Sequence, residues 1–306
     1  MSIRRATNLG KQSVNLITTV MQIVAPVCLL SGIGFVWAKL GYEFRTEFVA
    51  RLSMTLGVPC LIFTALMKTK IDPAALTAVL LASVAAYAVL TVVFWVFVVA
   101  LRLDRRTWLA PLIFGNTGNL GLPLALFAFG EAGLGFAVVI FAVMVVWSFT
   151  FGIWLVSGGG SLVRAVKEPA MAATLLGALF LWQGWTTPLW LTNSLDLIGQ
   201  MAIPLMLITL GVAIARLGVD QFGRAFWLSL TRAAVCLGVA LGAGLAFDLE
   251  PVALAVLILQ ITTPVAVTSY LLAEKYGADA GAVAGLVIVS TVMSIVTLPL
   301  TLGFLI

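Results

Sequence analysis

The sequence predicts an all-α integral membrane protein: ten transmembrane helices in two inverted repeats of five, with the fourth and ninth helices broken. Three observations lead there. Of the 306 residues, 62% are hydrophobic and 9% charged, with a mean hydropathy of +1.16, whereas a soluble domain averages about 45–50% apolar and about 25% charged. Apolar runs of about 20 residues, the length that crosses a bilayer, can be laid along the chain with little slack. Proline-marked interruptions recur at matching places in the two halves.

Taken in order, the first five runs lie near 17–38, 46–67, 73–101, 107–130 and 132–157. The N-terminus, with basic residues before an apolar stretch, is similar to a secretory signal. Its apolar part continues to about Trp37, past the usual signal core of about 7–15 residues, so it reads as a retained first span. A polar, glycine-rich break follows the fifth run, SGGGSLVRAVKEP (Ser157–Pro169). The second set lies near 170–184, 194–215, 222–247, 251–273 and 280–304. The expected organisation is a first repeat over 1–158, a cytoplasmic linker over 159–169 and a second repeat over 170–306.

The repeat rests on two correspondences. LSMTLGVPCLIFTAL in the second span carries Pro59 mid-helix, and LIGQMAIPLMLITL in the seventh carries Pro204 in the same place. GNTGNLGLP (Gly115–Pro123) interrupts the fourth span, and QITTPVAVTS (Gln260–Ser269) interrupts the ninth. Pro59 to Pro204 is 145 residues and Pro123 to Pro264 is 141, so one offset nearly serves both. Five spans per repeat, an odd number, put the halves in opposite orientations. Interrupted segments at corresponding positions of inverted halves point to a transporter's binding site.

Lys and Arg set the orientation. Lys39, Arg45, Arg51, Arg102, Arg105, Arg106, Arg164, Lys167, Arg216, Arg224 and Lys275 fall on one side, and Arg4, Arg5, Lys11, Lys68 and Lys70 on the other. The richer side is expected to be cytoplasmic, with both termini outside and the chain multi-pass in the cell (inner) membrane. The net charge of +5 thus reads as topology rather than as a nucleic-acid surface.

Unwound backbone survives inside a bilayer only when buried in protein or lining a cavity. Gly115, Gly118 and Gly121 relieve the steric limits on such a turn. Pro123 suits the first turn of a new helix, where its missing N–H is no loss. A half-helix starting near Leu122, and another starting near Pro264 from the opposite leaflet, would aim N–H donors and positive dipole ends at one point. Asn116 and Asn119, with Thr262 and Thr263 opposite, can add side-chain hydrogen bonds. The candidate binding set is therefore Asn116, Gly118, Asn119, Gly121 and Pro123 with Gln260, Thr262, Thr263 and Pro264. A packing device, with small residues letting helices cross closely, is the alternative.

Arg232, about ten residues inside the eighth span, joins that set. A charge at that depth is costly and usually functional. It either pairs with an anionic substrate or bonds helix carbonyls as a structural arginine. Glu131, Glu168, Asp248, Glu250, Glu274 and Asp279 fall near span ends, with Asp72 and Asp196 close to them. No acid stands where a buried proton relay is obvious, and sodium could still use half-helix carbonyls.

The chain has no histidine, and Cys28, Cys60 and Cys236 stand singly in apolar runs. That argues against a disulfide framework or a metal site, and no cofactor is expected. With no HExxH-like or paired-aspartate motif and no nucleophile–base pair, the sequence does not read as an enzyme.

These residues resemble the auxin efflux carrier family, bacterial relatives of plant auxin exporters that also include malonate and malate carriers. The matching pieces are APVCLLSGIGFVWAKLG, RLSMTLGVPCLIFTAL and GNTGNLGLPLALFAFGEAGLGFAVVI in the first half. In the second they are KEPAMAATLLGALF, LDLIGQMAIPLMLITLGVAIA and TTPVAVTSYLLAEKYGADA, followed by LVIVSTVMSIVTLPL. The resemblance implies a scaffold of spans 1, 2, 6 and 7, often dimeric in this family and expected to carry a homodimer here, and a moving transport domain of spans 3–5 and 8–10. Broken spans 4 and 9 would cross at the substrate. The family's crossover asparagine corresponds to Asn116 or Asn119, and Arg232 matches a basic residue that relatives carry in span 8. Thr268 or Ser269 stands where relatives have an asparagine after the proline.

The expected function is a secondary carrier for a small organic anion, a mono- or dicarboxylate, working by elevator-type alternating access with a proton or sodium as a possible coupling ion. A sodium-coupled symporter of the bile-acid type and an anion channel are the alternatives.

Overall fold

In a computed structural model the described residues are 25–26, 28–68, 71–152, 169–216, 222–266, 269–270, 272–273 and 276–305. Most of the expected linker, 159–168, and the start of the expected first span, 17–24, lie outside them.

The described residues are helical almost throughout. Helix α1 is Cys28–Lys39. α2 (Thr46–Leu52) passes through a π turn, Ser53–Gly57, into α3 (Val58–Lys68). α4 is Pro73–Ala100 and α5 is the short Arg105–Ile113. A second π turn, Thr117–Gly121, leads into α6 (Leu122–Trp147), and a third, Ser148–Gly152, follows it. α7 (Pro169–Gln183), α8 (Leu189–Arg216), α9 (Phe222–Ala246), α10 (Pro251–Thr262) and α11 (Ala280–Leu305) complete the described helices. Among the described residues five helical runs are long and apolar enough to cross a bilayer: Pro73–Ala100, Thr117–Gly152, Leu189–Arg216, Phe222–Ala246 and Ala280–Phe304. The longest is in fact two helices, because Gly130 adopts φ 62° inside α6 and turns the chain there.

Local chemistry explains the boundaries. Acids open the helices at their ends: Asp72 accepts from Ala74 N before Pro73, Asp104 from Thr107 N at 2.9 Å, and Asp279 from Ala282 N at 3.0 Å. Each satisfies one orphan donor of a first turn. The carboxylates near the span ends are thus partly accounted for as caps. Two π turns share a sequence device, SMTLGVP and TGNLGLP, each ending in Leu-Gly, an aliphatic residue and proline. Proline removes a helical N–H, and its ring crowds the carbonyl four residues back. The turn before it widens accordingly: Val58 N reaches Ser53 O and Leu122 N reaches Thr117 O. Pro204 sits in a continuous α8 instead.

The helices are apolar on both faces. In α4, Leu90 and Phe94 are fully buried, whereas Val92 and Val96 on the other side are 63% and 61% exposed. A helix that is greasy all round belongs to a bilayer. The packing forms two groups. α3 packs on α7 and α8, while α4 packs on both α5 and α6, and α9, α10 and α11 pack with one another, with α9 also against α4 and α10 against α6. The groups meet through α6, which touches α3 and α7, and through the Thr117–Gly121 turn against α8.

α1 and α8 cross at backbone contact. A Cβ on Gly34 would strike Ile208 O, and one on Gly211 would strike Ser31 O. Small residues allow this approach, and close packing drives association in lipid. Gly211→Leu is therefore expected to abolish a monodisperse size-exclusion peak. Gly32→Leu, where nothing lies within 4 Å, should leave the peak intact.

Candidate functional site

Two helices stop inside the apolar interior. α5 ends at Ile113 and α10 at Thr262. At nine and twelve residues they are roughly 14 and 18 Å long, about half of a hydrocarbon core of about 30 Å. Beyond them the chain runs extended. Phe114 has ψ 120°, and Thr263 has ψ 147°.

The two extended pieces cross as an antiparallel bridge between Gly115 and Val265. Asn116 N donates to Pro264 O at 2.7 Å, and Ala266 N donates to Phe114 O at 3.4 Å. Val265 N donates to Ser290 Oγ on α11 at 3.1 Å. Backbone groups that would be unpaired in lipid thus satisfy one another. Gly115 is required at the contact, since a Cβ there would collide with Thr263 Oγ1 and stand 3.0 Å from Arg232 Nη2.

The structure moves one of the two expected helix starts. The α segment of the fourth span starts at Leu122 as expected, and a π turn from Thr117 precedes it: Leu120 N and Gly121 N both donate to Asn116 O at 3.1 Å. The widened π turn enters the helix five residues before the α segment, so the open N–H groups are those of Thr117, Gly118 and Asn119. Pro264 does not start a half-helix. It lies in the extended crossing, and a turn resumes where Ser269 N donates to Ala266 O at 3.0 Å. Thr268 lies outside the described residues.

The threonines also act differently from the expectation. Thr262 Oγ1 donates to Ile258 O and Thr263 Oγ1 to Gln260 O, each at 2.7 Å. Both hydroxyl protons are committed to the last turn of α10, so these side chains retain acceptor capacity alone. Pro123 is buried beyond the π turn, and Gly118 lies against the Phe141 ring. The crossing itself unites Asn116 with Pro264, Arg232 with Thr263, and Gly121 with the Gln260 amide.

Arg232 is 2% exposed. Its Nε donates to Leu112 O at 3.0 Å and its Nη1 to Thr263 O at 2.6 Å. Both bonds go to backbone carbonyls at the ends of the two broken helices.

Around this frame lie buried polar atoms with no protein partner. They include Asn116 Nδ2, Thr117 Oγ1, Asn119 Oδ1 and both amide atoms of Gln260. Each such group costs about 1–3 kcal/mol if left unmade, so their concentration in one region points to a polar occupant. A cavity of about 820 Å³ adjoins the α6 half-helix, between Leu126 and Glu131 on one side and Thr64, Lys68, Asp196 and Gln200 on the other. Lys68 and Asp196 are ion-paired at its wall.

Sequence reasoning missed Ser290 and this cavity. Ser290 stands among small polar residues of α11, but only the fold shows which hydroxyl meets Val265. Tyr87, whose ring stacks on Phe114 at 6.5 Å, was equally hidden.

Residues 153–302 match the membrane transport protein family, Mem_trans. An uncharacterised transporter of Methanothermobacter thermautotrophicus is 26% identical over 294 residues, 91% of this chain and 96% of that protein. One of Methanocaldococcus jannaschii is 26% identical over 61% of this chain and 64% of its own length. A protein of Rhizobium meliloti named as a candidate malonate transporter is 24% identical over 79% of this chain and 81% of its own.

Removing the Ser290 hydroxyl strands the buried Val265 N–H. Ser290→Ala is expected to lose about 1–3 kcal/mol and to lower Tm by several degrees. Thr301→Ala, which removes only a bond within its own helix, should barely move it.

Proposed function

We propose that this chain, a membrane transporter of the membrane transport protein family through its residues 153–302, is a secondary carrier for a small organic anion. The substrate class is a mono- or dicarboxylate, auxin-like or malonate- and malate-like. One observation carries the reading: the turn that starts after Asn116 has no side-chain cap, and Asn116 Nδ2, Asn119 Oδ1 and both amide atoms of Gln260 are buried there without a protein partner. A helix N-terminus favours negative charge, and amides add directional bonds without the cost of a second buried ion. The Rhizobium meliloti relative's name is in keeping with a dicarboxylate.

The mechanism we propose is elevator-type alternating access. Two inverted five-helix repeats would divide into a scaffold of α1–α3, α7 and α8 and a transport domain of α4–α6 and α9–α11. The packing groups follow that division, and the cavity beside α6 lies along the seam between them. The bridge at Gly115 and Val265 ties both broken helices into one body, which suits a domain that moves as a unit. The scaffold would carry a homodimer in the cell membrane, with both termini on the non-cytoplasmic side.

A thermal-shift screen of purified protein against a carboxylate panel tests the substrate class. At least one organic anion is expected to raise Tm, with saturable counterflow of that anion in proteoliposomes. Stabilisation by neutral solutes or cations alone would falsify the proposal. Asn119→Ala should weaken binding of that anion about threefold to tenfold, the worth of one hydrogen bond, with unchanged expression. Intact affinity would return the asparagine to a structural role.

A further inference from the structure

We infer that Arg232 is the built-in cation of the crossing: its guanidinium neutralises the carbonyl ends of both broken helices, so no sodium or other inorganic cation is taken up there. The geometry is specific. Leu112 O belongs to the last turn of α5, and Thr263 O immediately follows the last residue of α10. One planar side chain donates to both, Nε to the first at 3.0 Å and Nη1 to the second at 2.6 Å. Each helix C-terminus carries about −0.5 of a charge, so two together match about one positive charge. Discontinuous membrane helices offer such carbonyl ends to coupling cations. In this chain a tethered guanidinium already holds them.

The surroundings agree. Among the described residues no carboxylate bonds to or ion-pairs with Arg232. On α9 it shares one buried stripe with Ser229 and Cys236, facing away from lipid. A buried charge needs close compensation, and two helix ends supply it. A third donor, Nη2, remains without a protein partner and lies beside Gly115. Arg232 is thus a positioning residue. It binds the two half-helices to each other from the carbonyl side, while the N–H groups after Asn116 stay open for an anion.

The transport readout rests on the carrier reading above, and the binding readout does not. Wild-type counterflow is expected to run at the same rate in sodium and in choline media. A rate that climbs with sodium and saturates overturns the inference. Arg232→Ala should lose roughly 10 °C of Tm, because two charge-assisted bonds go at once. Millimolar guanidinium should then raise the Tm of this variant by refilling the site, while leaving wild type unmoved or lowered. An equal response in both proteins overturns the inference even if no substrate is ever found. Where Arg232→Ala does not accumulate, Arg232→Lys takes its place. It keeps the charge and should transport without sodium, and sodium-dependent transport by it counts against the inference.

Discussion

A peptide bond that leaves helical geometry inside hydrocarbon must find another partner. The fold is organised around how two such stretches meet that demand together. Phe114–Asn116 and Pro264–Ala266 are each a short extended piece between helical segments, and each supplies what the other lacks. Asn116 N–H finds Pro264 O, and Ala266 N–H finds Phe114 O. What the pair cannot satisfy goes outward, to the Ser290 hydroxyl and the Arg232 guanidinium. Neither broken helix could stay in a bilayer alone.

Other features follow from that crossing. Close approach demands glycine at 115, because Thr263 and Arg232 already occupy the space a Cβ would fill. The short helices α5 and α10 are held on their carbonyl side by one arginine from α9, so three elements share a fixed geometry. The carbonyl side of the junction is consumed in holding the structure together. The N–H side, with its buried amides, is not. Chemical asymmetry of this kind separates a surface that anchors from a surface that can accept a ligand. The cavity beside α6 is lined further along the same helix, from Leu126 to Leu134.

Much of this was legible in the residues, and the errors are instructive. GNTGNLGLP did mark a break, yet the break occupies its first two residues, and helix resumes at Thr117 as a π turn. Pro123 does fall in the first turn of the α segment, and Leu-Gly-x-Pro also widens the turn before it, as the SMTLGVP stretch shows. Pro264 looked like a helix start and instead offers its carbonyl to Asn116. Thr262 and Thr263 looked like ligand donors, and their protons go to the helix they close. For Pro264 a partner distant in sequence decided the use, and for the threonines it was a carbonyl three or four residues back in the same helix.

Composition, span length and the spacing of prolines determined by themselves that the chain is a helical membrane protein with two interrupted segments and a costly interior arginine. These follow from local physics: hydropathy sets what enters lipid, and glycine and proline set where helices cannot continue. Only the tertiary structure decided that the interruptions bond to each other, that Arg232 joins their carbonyl ends, and that Ser290 serves Val265. Those facts depend on which atoms meet across separations of 25 residues for Ser290 and Val265, 31 for Arg232 and Thr263, and 120 for Arg232 and Leu112. No local preference encodes such a meeting, because it is chosen by the requirement that every buried polar group find a partner.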